Sequence, residues 1–141
     1  MLERSISLNG EITAKIDLAD IRPGQVPFWV WINPPADLLV QLRRQNFAIE
    51  AQLMAFESLK KQHPTDHVLQ ECRNLGGMLY RTMDATFLLF AQILSKGPKE
   101  SRVTAKDLHN FHNEDPAFLF WLLDQAVHHI HRYKLQVGNN G

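Results

Sequence analysis

The residues of this chain best suited to chemistry are its seven histidines. His63 and His67 stand four apart, His109 and His112 three apart, and His128 and His131 three apart with His129 beside them. On a helix those spacings set two imidazoles on one face, which is how a helical metal site begins. His109, His112, His128 and His131 are therefore the candidate metal ligands, at an interface between two helices. Several features work against that reading. Pro64 interrupts the first pair, and no Glu follows His63 as the metalloprotease helix H-E-x-x-H requires. His128 and His131 fall near the C-terminus of the last helix, where an imidazolium interacts favourably with the helix dipole. The residues predict no bound metal and no cofactor.

Other reactive residues lack the company that chemistry needs. Cys72 falls on the apolar face of a helix with no flanking cation to lower its pKa, which describes a structural thiol. Gly76-Gly77 follows no strand and matches neither G-x-G-x-x-G nor the G-K-[ST] of a phosphate loop. Trp29 and Trp31 could stack bases, but no basic residues interleave with them, so sheet packing explains them better. Arg43-Arg44 and Lys60-Lys61 read as a solvated helix face. Asp and Glu are scattered without a paired-carboxylate spacing. No catalytic constellation emerges, and the expectation is a chain that is not an enzyme.

Composition narrows the class further. A length of 141 residues favours a single domain with a real core, and an apolar share of 45% is ordinary for a globular protein. Fifteen basic residues balance fifteen acidic ones. That balance removes the electrostatic footprint of a nucleic-acid binder and leaves little repulsion against self-association. A single cysteine gives no framework of internal disulfides, and Glu3 and Arg4 precede alternating residues rather than the apolar core of a secretory signal. Apolar runs such as Phe87 to Ala91 are far short of the roughly 20 residues that span a bilayer. The expectation is a cytoplasmic protein with no membrane or nucleic-acid partner.

The pattern predicts an α+β, mainly helical fold in one domain. A small antiparallel β element, a hairpin plus a third strand, occupies residues 1–33 and a four-helix body follows. Residues 5–18 alternate around Asn9-Gly10, the signal of a two-residue type I′ turn, with Ile6, Leu8, Ile12, Ala14, Ile16 and Leu18 on the apolar side. Residues 26–32 form the third strand, apolar on both faces and so covered twice or held in an interface. Asn33 should cap a helix that starts at Pro34 and runs over 36–62. Its core face is Leu39, Leu42, Ile49, Leu53 and Phe56, and a second row, Val40, Phe47 and Met54, repeats by sevens. A second long helix reaches from 66 to about 95 through Val68, Cys72, Leu75, Leu79, Met83, Phe87, Ala91 and Leu94. Its glycine pair predicts close approach by another helix. The block 34–95 thus holds two long helices.

The block 96–135 holds a short helix opened by a Thr104/Asp107 capping box and a terminal amphipathic helix, and 136–141 is a frayed tail. Asp115 should cap the terminal helix with Pro116 at its first position. Leu119, Leu122, Ala126, Ile130 and Tyr133 line its core face, and Phe118, Phe120, Trp121 and Val127 exceed what one stripe needs. That excess calls for a second burial partner. Phe118, Phe120, Trp121, Phe47 and Met54 are the candidate protein-contact residues.

The order of parts carries a resemblance. The run FWVWINPPADLL from Phe28 leads straight into a long helix, and a helical middle ends in FLLFAQIL from Phe87. A basic linker then precedes VTAKDL from Val103 and a last helix from Asp115. This layout, with its T-x-x-D-[LV] helix start, resembles the tail assembly chaperones of long-tailed bacteriophages and prophages. The dense aromatics of 118–121 and the histidine-rich end depart from that pattern. The resemblance implies a non-catalytic role, coating the helical tape measure protein and recruiting tail tube subunits in the host cytoplasm. It also implies a longer form made by ribosomal frameshifting. The residues themselves leave two other readings open, a histidine-bound metal protein or a host protein-interaction or regulatory module. A homo-oligomer is expected.

Overall fold

The structure, a computed structural model, describes residues 4–140. Three strands, β1 (Arg4–Ile6), β2 (Ile12–Ile16) and β3 (Phe28–Trp31), precede four helices, α1 (Ala36–Lys60), α2 (Asp66–Ile93), α3 (Ala105–Glu114) and α4 (Pro116–Asn140). The fold is α+β and mainly helical, with the antiparallel sheet at the N-terminal end. The chain divides into two compact units, one formed by its two ends (through Pro35 and from Phe90 onward) and one formed by residues 36–89. Among the described residues no helix is long and apolar enough to cross a membrane.

In the first unit the sheet order is β1-β2-β3, antiparallel throughout. The hairpin forms around Asn9-Gly10, but with one residue more than a type I′ turn. Ile6 pairs with Ile12, Ser7 N–H donates to the Glu11 carbonyl at 2.9 Å and Gly10 N–H to the Ser7 carbonyl at 3.1 Å. Only Gly10 takes a positive φ, 83°, so the loop is three residues long with its glycine in the left-handed position. The extra residue places Leu8 in the loop, where it is exposed, and Ile6 is exposed on the edge strand. The apolar face begins in β2, where Ala14 and Ile16 are buried, with Leu18 just beyond the strand.

Asn33 does not cap α1. Its side-chain carbonyl accepts from Ile12 N–H at 2.8 Å and its amide donates to the Gly10 carbonyl at 2.9 Å, so it fastens the hairpin to the end of β3. The helix opens two residues later than Pro34, at Ala36.

β3 is covered on both faces, as its sequence requires. Phe28, Val30 and Ile32 are buried in the core with Leu119, Leu122 and Ala126 of α4. On the other face, Trp29 lies against Gly97 and Trp31 lies beneath Lys96, whose ammonium is 4.6 Å from the ring centroid. Lys96 also pairs with Glu11 at 3.0 Å, and this hydrogen bond holds the Glu11 carboxyl below its ordinary pKa. The Thr104/Asp107 capping box forms in both directions and opens α3. α4 continues to Asn140, past the expected end at 135, while Gly141 and Met1–Glu3 lie outside the described residues.

In the second unit, residues 61–65 join α1 to α2, and the Thr65 hydroxyl accepts from Val68 N–H at 3.2 Å to cap the second helix. Leu42, Gln45, Ile49, Gln52, Phe56 and Leu59 of α1 are half-buried at alternating spacings of four and three. Val68, Cys72, Leu75, Leu79, Thr82, Thr86 and Leu89 of α2 follow the same rhythm. That is the seam of a helical hairpin with a 3.5-residue repeat. Leu53, expected on the core face, is exposed because Gln52 occupies the seam and donates to the Thr82 hydroxyl at 3.0 Å. Among the described residues no other helix comes within 4 Å of a Cβ built at either glycine of the pair. α2 runs unbroken through it, and a Cβ at Gly76 would meet nothing within 4 Å.

Gly97 is the glycine that packing does require. A Cβ there would stand 2.7 Å from the Trp29 Cβ, closer than two carbons approach without displacement. We expect Gly97→Ala to destabilise the protein by about 1–3 kcal/mol, the usual cost of overpacking, read as a lowered thermal midpoint. Gly76→Ala should raise that midpoint, by about 1 kcal/mol of helix propensity.

Candidate functional site

The expected contact residues of α4 separate according to which way the helix turns them. Asp115 accepts from Phe118 N–H at 3.3 Å through one carboxylate oxygen and pairs with the Arg22 guanidinium at 3.1 Å through the other. The Arg22 guanidinium carbon sits 3.8 Å from the Phe118 ring centroid and 5.3 Å from that of Phe111. Phe118 and Phe111 meet edge to face with centroids 5.1 Å apart, Phe28 lies 6.5 Å from Phe118, and Trp121 stacks on it at 6.1 Å. Such pairs add about 0.5–1.5 kcal/mol each beyond the area they bury. Phe118 is thus a buried core residue and cannot meet a partner. Trp121 is half-buried beside it. Phe120 points the opposite way, 61% exposed, with the His112 ring 6.5 Å from its own.

The two remaining expected residues, Phe47 and Met54, lie on α1 and are 62% and 74% exposed. They belong to a larger set in the 36–89 unit. Val40 and Leu53 of α1 and Leu69, Met78, Tyr80 and Leu88 of α2 are exposed as well, while Leu38 is the fully buried residue of α1. A helix of this length ordinarily buries a continuous stripe. Here the seam is half-covered, and on both helices these large apolar side chains stand exposed among charged and polar ones. A shallow, open depression lined by Gln45, Gln52, Met78, Arg81 and Thr82 interrupts the hairpin. Its lining is mixed, with Met78 and Ala85 beside the polar side chains, and contains no titratable pair.

The histidine candidates do not assemble. His109 and His112 lie on α3, and His128 and His131 on α4. Among the described residues no three His, Cys, Asp or Glu side chains converge as metal ligands. His67 lies 2.9 Å from Glu71 one turn along α2, and Cys72 is half-buried in the hairpin seam. The histidine with a distinct environment is His129, which pair spacing did not single out. It is buried on α4, and its pKa falls below 6.5 through desolvation first and then through the charges of His128, Arg132 and Arg4. Arg4 is held near by a hydrogen bond to Gln136 at 2.8 Å and lies over the Tyr133 ring. Only the burial of the α4 face could have revealed this residue in the sequence.

No protein-family model, no curated protein and no solved structure matches the chain.

The neutral state of His129 sets a pH dependence. The unfolded chain takes up this proton near pH 6.5 and the folded chain only at lower pH. Stability from burying the neutral ring is therefore complete above that pH and is lost as pH falls toward the folded value. Urea midpoints should drop from pH 7 to 5 in the native protein and drop less in His129→Gln. An unchanged slope would mean that another group governs the titration.

Proposed function

We propose that this chain is a non-catalytic protein-binding factor, and specifically a tail assembly chaperone that holds a long helical tape measure protein and gathers tail tube subunits in the host cytoplasm. The observation that carries the reading is the helical hairpin of 36–89, whose two helices each expose large apolar side chains, Phe47 and Met54 on α1 and Leu69, Tyr80 and Leu88 on α2. An exposed apolar face of this kind marks a binding surface for another chain. A helix laid along it is read by side chains three and four residues apart.

The outward side of α2 suits such an occupant. Leu69 and Tyr80 lie on the same side of α2 as Gly76, where a Cβ would meet nothing within 4 Å, and Leu88 stands exposed further along the helix. Two mid-helix glycines cost about 1 kcal/mol each relative to alanine. Among the described residues no other helix comes within 4 Å of a Cβ placed at either glycine, and close approach by a helix from another protein would use their small size. Phe120 on α4 adds a separate exposed aromatic contact for a second partner.

The test begins with the DNA beyond the codon for Gly141. The reading predicts an overlapping alternative frame and then a long helical reading frame, whose product co-purifies with this chain when the two are expressed together. Leu69→Glu with Leu88→Glu should weaken that complex by at least about tenfold while leaving helix content intact. Metabolic or regulatory neighbours, or a downstream helical product that does not bind, would refute the tail assembly reading.

A further inference from the structure

We propose that the outward face of α1 is a self-association surface, on which the α1 of a second copy of this chain lies antiparallel. The inference rests on α1 alone and does not require the tail assembly reading.

The face is a narrow stripe. Val40, Phe47 and Met54 repeat every seven residues and are 46%, 62% and 74% exposed. Arg44 and Ala51 fill the places between them, so the row steps by four and three, as a coiled-coil seam does. The α2-facing residues Gln45, Ile49 and Gln52 lie on the far side of the helix, because two residues advance about 200° around it. α2 therefore cannot cover the stripe, and a helix from elsewhere can reach its whole length, about 21 Å from Val40 to Met54.

The charges beside the stripe select the occupant. Arg43 and Arg44 stand toward one end and Glu50 toward the other. A second α1 turned end for end brings the basic pair of each copy alongside Glu50 of the other. In the same register Val40 packs on Ala51, a large residue on a small one, and the Arg44 guanidinium reaches the Phe47 face of the other copy, where cation–π attraction favours it. Every contact occurs twice, as two-fold symmetry demands of a self-complementary patch. A parallel arrangement would instead set Arg44 against Arg44 within the seam. Zero net charge puts no long-range repulsion in the way. One stripe of this length gives an interface at the small end of the range, below about 1,200 Å². The dimer should accordingly be weak, with a Kd on the order of tens of micromolar.

Sedimentation of the full chain, alone and untagged, from about 5 to about 500 µM tests this across the expected Kd. The native chain should pass from monomer to dimer over that range. Phe47→Glu should stay monomeric at every concentration with an unchanged helical circular dichroism signal. Glu50→Arg should weaken the dimer by about tenfold or more, and Arg43→Glu combined with Glu50→Arg should recover it. A native chain that stays monomeric at the top concentration overturns the proposal. So does a dimer indifferent to Phe47→Glu, which would use another face, or a charge swap without recovery, which would exclude the antiparallel pairing. A monomeric chain that loses a co-expressed helical partner on Phe47→Glu would assign the stripe to that partner instead. Failure of the downstream product to bind leaves this experiment unaffected, so the two readings fail separately.

Discussion

Phe118 lies beneath the Arg22 guanidinium, and that contact organises the unit formed by the chain's two ends. Arg22 arrives from the loop between β2 and β3, Phe28 from the sheet, Phe111 from α3, and Phe118 with Trp121 from α4. Asp115 ties the arrangement to the start of α4, since its two carboxylate oxygens serve the helix cap and Arg22 separately. The ring accepts edge contacts from its neighbours and the cation on its face, so one aromatic residue satisfies packing and charge together. With α4 set there, Leu119, Leu122, Ala126 and Ile130 line up along the sheet and close the core.

The 36–89 hairpin follows a different logic. It has no comparable nucleus, and polar residues occupy its seam, where Gln52 donates to Thr82 and Thr86 donates back to the Thr82 carbonyl at 2.8 Å. Polar seam residues fix register at the expense of stability. The side chains that would build a stronger core, Phe47 and Met54 on α1 and Tyr80 and Leu88 on α2, point outward instead. Apolar area held away from the core is area available to other chains. Both units leave large apolar side chains exposed, the first on β1, its loops and α4, the second on α1 and α2.

Much of the fold was legible because local signals agreed with the period of each element. Thr104 with Asp107, Asp115 with Pro116, and the stripe from Leu119 to Ile130 all behave as their types and spacing dictate. What escaped depended on partners distant in sequence. Asn33 looked like a helix cap, yet the Gly10 carbonyl and Ile12 amide claimed its side chain. Asn-Gly forecast a hairpin correctly, but the pairing of Ile6 with Ile12 left room for a three-residue loop. A 3.6-residue count places Leu53 inward, whereas the hairpin's 3.5-residue seam drifts to Gln52. Among the contact residues, Phe118, Phe120 and Trp121 were indistinguishable by composition. Only the position of Arg22 and Phe111 shows that Phe118 is core and Phe120 is surface.

The outward face of α1 is the surface that self-association would cover. Amide hydrogen exchange of the native chain at low and high concentration measures that most directly. Protection of 40–54 should rise with concentration while that of α4 stays the same. Equal exchange of 40–54 at both concentrations, under conditions where the remainder of the chain is fully folded, would contradict it.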